Sequence, residues 1–383
     1  MMSNVLNRIV RWVPALLSLI VAFVSIFPAS LERLEDDIAF QRERIAQLEQ
    51  AYANGEMPKI NENDIFAGDL AAELENGIKF NEMSFLGTHN SYQTEALSET
   101  KKLHRSLSAL SFGIYDAERI EFKSETLTDQ LNCGLRSFEM DIETFDRDGE
   151  ISFTCMHSPY FEMTTSCYDF SLALKEIAMW SDNNPNHLPI TVIIEPKETF
   201  LPLENMKYFN LDYALSLDET LREGLGDKLF TPADMLGNYS SFGDMRATDD
   251  WCEVKDMLGK VVILLHECNV TESYISVDSS IKTQAMFPML REDDIDRSCA
   301  SIILCNKPAE LIEVSEDIIY NKKIMVRTRA DKFGDVSEEK RKQAFASGAN
   351  IISTDYPVRT DLSYKDYVVT FDNGKTVGKN RMQ

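Results

Sequence analysis

From residue 83 to residue 354 one pattern repeats: a short apolar run, a stretch with helical spacing, then another apolar run. The runs fall at 83–88, 134–141, 151–157, 190–195, 261–265, 301–304, 324–326 and 350–354, with helical patterns over 170–181, 213–225 and 337–347. Apolar runs of this length bounded by turn signals read as buried strands, and strands alternating with helices build parallel sheets. Eight such strands over about 280 residues predict one α/β domain, a (β/α)8 TIM barrel, for which roughly 250 residues is typical.

In a barrel of that kind the chemistry sits where strands end. Phe85-Leu86-Gly87-Thr88 ends in His89 and Asn90, presenting an imidazole beside an amide oxygen. Glu139 and Asp141 are two apart on the second run, and so share a strand face. The third run ends in His157, and the fourth in Glu195 followed by Lys197. Asn90, Glu139, Asp141 and Glu195 form an all-oxygen set without a cysteine, which suits a hard cation, calcium in particular. Two histidines beside such a cation suit attack at phosphorus, one stabilising charge or moving a proton and the other protonating the leaving oxygen. Lys197, Arg136, Arg327 and Arg329 have the chemistry to hold phosphate oxygens. The remaining histidines, His104, His187 and His266, read as structural.

Charge narrows the partners. A net −24 opposes binding to nucleic acid, and it opposes anionic lipid unless a basic patch or bound divalent cations reverse the sign at the contact. Such a patch is available in the long insertion from Ser91 to Thr126, where Lys101, Lys102 and Arg105 form either a membrane-facing lip or one side of an amphipathic helix packed on the barrel. The seven cysteines include no Cys-x-x-Cys pair, so zinc and thioredoxin-type sites have no support; export would permit up to three disulfides.

At the N-terminus, Arg8 and Arg11 precede an apolar run from Trp12 to Phe27 and then Pro28-Ala29-Ser30. Residues 1–30 therefore read as a signal peptide or short signal-anchor, with the protein exported, either secreted (or periplasmic) or held on a membrane facing outward. Residues 31–53 have helical spacing interrupted at Gln41, so 31–78 read as a helical stalk and linker, or as a helix packed beside the domain, ahead of a catalytic domain over 79–383. Asp372-Asn373-Gly374 predicts a terminal hairpin.

Taken together, Gly87-Thr88-His89-Asn90-Ser91-Tyr92, Leu127-Thr128-Asp129-Gln130-Leu131, Gly134 to Asp141, His157-Ser158-Pro159, Ile194-Glu195-Pro196-Lys197, Val326 to Asp331 and Ser353-Thr354-Asp355-Tyr356-Pro357 resemble the calcium-dependent phosphatidylinositol-specific phospholipase C proteins. The likeness is to their small single-barrel microbial branch and spans about residues 80–380. It implies a barrel of the phospholipase C-like phosphodiesterase type, acting at a phospholipid surface to release diacylglycerol and a cyclic or opened inositol phosphate. It implies that His89 stabilises the phosphorane-like transition state and that His157 is the general acid for the leaving oxygen. Asn90, Glu139, Asp141 and Glu195 would bind Ca2+, one carboxylate also taking the proton of the attacking inositol hydroxyl. Lys197, Arg136, Arg329 and Tyr356 would contact substrate. Metal-independent relatives place an aspartate after the first histidine and an arginine where calcium would be; Asn90 favours the metal-dependent branch, while Arg136 keeps the other in view. Two further readings stand beside this one: a glycerophosphodiester phosphodiesterase, whose usual His-Arg-Gly start is missing here, and a non-catalytic membrane-tethered binding barrel.

Overall fold

A computed structural model describes residues 2–110, 123–199, 201–332, 336–357 and 367–380; at 2–20, 22–23 and 109–110 the description is of backbone alone. Eight parallel strands close into a barrel: β1 Met83–Thr88, β2 Ser137–Arg147, β3 Ile190–Pro196, β4 Val261–Leu265, β5 Phe287–Leu290, β6 Ile302–Leu304, β7 Met325–Arg329 and β8 Ile351–Thr354. Neighbours in that order are hydrogen-bonded, and β8 and β2 both pair with β1 to complete the ring. The register puts Gly87 opposite Ser137, where a Cβ on Gly87 would lie 2.9 Å from Ser137 Cβ. Only glycine allows β1 and β2 to close so tightly just below the C-terminal end of the barrel.

The parallel strands are buried on both faces, one inside the barrel and one under the helices, which explains their near-continuous apolar runs. Two strand assignments differ from expectation. The run at 151–157 is not a barrel strand: Glu150–Cys155 folds back antiparallel on the far half of β2 and extends the sheet beyond the mouth. The eighth position belongs instead to β5, whose four residues include Pro288.

At the C-terminus the predicted turn is present, with Asn373 in the left-handed region at φ 60°. The segment after it does not form a flanking hairpin arm. Val377–Lys379 lies antiparallel on β1 and parallel to the short strand Phe66–Ala67. All seven cysteines are free thiols, so no disulfide pairing is realised.

From Ile26 onward the N-terminal helix packs beside the domain, the second of the two readings of this region. Helix α1, Met2–Ala53, runs without a break through the irregular position at Gln41 and lies against the barrel. Gln41 is 1% exposed because its side chain donates to Asp169 O (2.9 Å) and accepts from Asp169 N (2.8 Å), so a polar residue occupies the inner face where an apolar one was expected. Arg44 beside it pairs with Glu176 on α3, Phe170–Asn183, and donates to Ser166 O. Helix α2, Ser98–Leu110, supports the packed reading of the insertion: Leu103 and His104 are buried, Lys101 pairs with Glu95 at 2.6 Å, and Lys102 stands out in solvent. The rest of the insertion, 111–122, lies outside the described residues. Among the described residues no helix is long and apolar enough to cross a membrane.

Candidate active site

The mouth is organised by the turn after β1. Thr88 Oγ1 donates to Gln130 Oε1 (2.8 Å), Gln130 Nε2 donates to Ser91 O (2.7 Å), and Ser91 Oγ accepts the backbone N–H of Glu139 (2.9 Å). This network locks the end of β1 onto β2 and holds Asn90 at φ 47°, a left-handed conformation that asparagine tolerates well. Asn90 is 4% exposed; its Nδ2 donates to Gln93, and its Oδ1 has no hydrogen-bond partner.

Glu139, Asp141 and Glu195 offer donor oxygens that all lie within 4.8 Å of one another. Glu139 is fully buried and ion-paired with Arg327, with Arg329 Nη2 at 3.4 Å and His89 Nε2 at 3.7 Å. Burial alone would raise its pKa, but Arg327, then His89 and Arg329, hold it well below the usual carboxylate range. Asp141 Oδ2 accepts from Tyr92 OH (2.9 Å) and faces Lys197 Nζ at 3.0 Å, while Oδ1 has no partner. Lys197 also pairs with Glu195 at 2.7 Å. Burial pushes Asp141 up in spite of Lys197, and the two carboxylates outweigh burial to raise Lys197.

Two buried acceptor oxygens without donors, Asn90 Oδ1 and Asp141 Oδ1, are a cost that the fold leaves uncompensated within the chain. Beside a trio of carboxylates they are the donors that a calcium ion uses, and the set fits that cation. Asn90, Glu139, Asp141 and Glu195 are the residues that would hold it.

Each of the two candidate catalytic histidines is backed by a carboxylate. His89 Nδ1 lies 2.9 Å from Asp355 Oδ1 in the loop after β8. Asp355 is held in turn by Asp331, whose Oδ1 accepts its backbone N–H (2.9 Å) and whose Oδ2 accepts from Thr354 Oγ1 (2.7 Å). His157 follows the outlying strand, and its Nδ1 pairs with Glu162 Oε2 at 2.7 Å. Burial would depress the His157 pKa; the bond and charge of Glu162 outweigh it, and the pKa stands above its ordinary value.

One sequence-predicted substrate contact is elsewhere. Arg136 precedes β2, at the barrel end opposite the mouth. It is fully buried, pairs with Glu62, donates to Leu131 O and Leu135 O, and covers the Trp180 ring at 4.7 Å. Its charge therefore serves the fold, and it is not available as a replacement for calcium. Tyr356, the residue after Asp355, is 1% exposed and packed edge-on against Tyr367. Arg327 buttresses Glu139 from within the barrel, leaving Arg329 and Lys197 as cations at the mouth, each about one-fifth exposed.

Other site residues were not anticipated. His266, read as structural, ends β4 with Nε2 3.9 Å from Glu195 Oε2, and its position after an apolar strand was the available signal. Glu143 continues the face of Glu139 and Asp141; burial pushes its pKa up to about 8. Asp355 and Glu162 sit in loops, where no periodicity marks them.

Such a mouth is built for acid–base chemistry on a phosphate beside a hard cation, the work of the barrel-fold phosphoric diester hydrolases. Residues 78–152 and 143–381 match the family described as phosphoinositide phospholipase C, Ca2+-dependent, and the chain belongs to that family. Calcium is its cofactor class. The fold is shared with a Ca2+-dependent phosphatidylinositol-specific phospholipase C from Streptomyces antibioticus, at 16% identity and TM-score 0.52 over 73% of this chain and 95% of that one. A calcium-dependent phosphoinositol-specific phospholipase C from a Gram-negative Pseudomonas species is similar at 17% identity and TM-score 0.52, over 79% of this chain and 95% of its own. A search of curated protein sequences finds no match.

Proposed function

We propose that the protein cleaves phosphatidylinositol-type phospholipids to diacylglycerol and an inositol phosphate by attack of the inositol 2-hydroxyl on the neighbouring phosphorus. The observation that carries this reading is the placement of two carboxylate-backed imidazoles, His89–Asp355 and His157–Glu162, at the barrel end that holds the partnerless oxygens of Asn90 and Asp141. Because nucleophile and phosphorus belong to one substrate, the chain need only orient them.

Calcium, when bound, supplies charge stabilisation at the phosphate and makes the attacking hydroxyl more acidic. The chain's own groups do the rest. Asp355 fixes the ring of His89 so that Nε2 points to the mouth, where it stabilises charge on a nonbridging oxygen. A carboxylate of the Glu139, Asp141 and Glu195 cluster takes the hydroxyl proton. His157, kept protonated by Glu162, delivers a proton to the glycerol oxygen as the P–O bond breaks. Arg329 and Lys197 bind phosphate oxygens.

The substrate fixes the partner as a phospholipid surface. The Arg8 and Arg11 flank and the apolar Trp12–Phe27 run support an exported protein that keeps this segment as a membrane anchor.

The test is release of water-soluble inositol phosphate from phosphatidylinositol vesicles. Calcium-dependent release that is lost in both His89→Ala and His157→Ala is expected. Release unaffected by a chelator would overturn the calcium role. Cleavage of glycerophosphodiesters in its place would overturn the substrate.

A further inference from the structure

Residues 26–44 of α1 precede the segments that match the family, yet they contact the loop that carries His157. We propose that α1 is a positioning element for the His157–Glu162 pair, so that the N-terminal helix is part of the catalytic apparatus. This inference rests on the phospholipase reading.

The loop is a small closed hairpin. Ser158 and Glu162 exchange backbone hydrogen bonds of 3.2 and 2.9 Å, which lets Glu162 reach back to His157. At its tip Tyr160 has φ 65°, a conformation unfavourable for a bulky residue that persists only where surroundings enforce it. The surroundings are α1. Ser30 Oγ donates to Tyr160 O at 2.8 Å, and the Phe27 ring lies 4.5 Å from the Tyr160 ring. One turn on, Leu34 packs against the cluster of Met156, Met163 and Met206, directly beside His157 in sequence.

The next turns hold the chain that leaves the loop. Asp37 Oδ2 accepts the backbone N–H of Thr165 at 2.9 Å, Gln41 makes both bonds to the Asp169 backbone, and Arg44 donates to Ser166 O. Phe27, Ser30, Leu34, Asp37, Gln41 and Arg44 recur at three and four residues, a single stripe of the helix. That stripe is matched contact by contact to 156–169, the stretch containing both members of the acid pair. A helix needed only for stability could pack anywhere on the barrel's outer ring. This one is bonded to backbone atoms of the loop that must hold an imidazole in place.

The test uses the full chain and the variant Phe27→Ala/Ser30→Ala/Leu34→Ala, which leaves the Asp37, Gln41 and Arg44 contacts to keep the helix docked. Two soluble substrates are compared: a short-chain phosphatidylinositol, whose alkoxide leaving group needs a proton, and an aryl ester of inositol phosphate, whose phenolate does not. Turnover of the lipid is expected to fall about tenfold or more, out of the range of roughly 10²–10⁴ that general acid–base catalysis supplies. Turnover of the aryl ester and calcium affinity by calorimetry are expected to hold. In a His157→Ala background the triple change should have no further effect on the lipid, and Ser30→Thr, which keeps the hydroxyl, should retain activity.

Equal loss on both substrates, or additive loss in the His157→Ala background, would overturn the inference. So would no loss at all. A parent protein that cleaves neither substrate would instead overturn the phospholipase reading, and this inference with it.

Discussion

Asp355 Oδ1 lies 2.9 Å from Nδ1 of His89, joining the loop after the last barrel strand to the loop after the first. The bond fixes which nitrogen of the ring faces the mouth, and Asp331, which accepts the Asp355 backbone N–H and the Thr354 hydroxyl, holds that loop in turn. Asp355→Asn should therefore leave KM near its parent value while lowering kcat by on the order of 10²-fold or more, because the neutral amide neither orients the ring as firmly nor supports its charge when it donates to the phosphate. Steady-state kinetics on a soluble phosphoinositide would check this.

The acid pair sets the alkaline limit of activity. His157 holds its proton above its ordinary range because Glu162 outweighs the opposing effect of burial. Replacing Glu162 with Gln removes the raising influence, so the alkaline limb of the kcat–pH profile should move to lower pH. An unmoved limb would mean that another group supplies the proton.

In the proposed site, calcium affinity rests on the carboxylates of Asp141 and Glu195. Glu195→Gln and Asp141→Asn should each weaken calcium binding by about 10–100-fold in calorimetry, the scale seen when the surroundings of a metal site are altered. Activity should recover in part at high calcium. A chelator should abolish turnover reversibly.

Lys197 balances Asp141 and Glu195 with its own charge. A divalent cation among the same carboxylates is repelled by that ammonium. Lys197→Met should bind calcium more tightly, on the order of tenfold, while turning over more slowly for want of a phosphate contact. Looser binding would show that the lysine orients the carboxylates rather than competing for them.

At the other end of the barrel, Arg136→Ala leaves Glu62 without its partner and Trp180 without its cover. Removing one member of a buried ion pair costs about 3–5 kcal/mol. Denaturant unfolding should show that loss, with calcium affinity unchanged in the folded protein.

How far the sequence carried these conclusions depended on periodicity. Long apolar strands such as Ile190–Pro196 and Val261–Leu265 were legible because burial on both faces leaves no ambiguity. Phe287–Leu290 was not, since it has four residues and a proline, while the apolar 151–155 arm imitates a barrel strand but pairs antiparallel. In the site, His89, Asn90, Glu139, Asp141 and Glu195 announce themselves by ending strands. Glu162 and Asp355 do not, because a loop carboxylate acquires meaning only from the imidazole opposite it. Arg136 misled for a related reason: a cation near a strand reads alike at either end of it, and only the sheet register shows which end is the mouth.

Val377–Lys379, lying across Met83–Thr88, has a consequence for how the molecule is made. The strand that begins the barrel waits for residues nearly 300 positions later before its pairing is complete, so a chain emerging from the ribosome holds His89 and Asn90 in place only once residues through Lys379 have been made. Contacts of such sequence separation carry a large loop-closure cost and form slowly. The mouth of the barrel therefore assembles late in folding, and a lipid-degrading activity stays silent until the segment through Lys379 is in place.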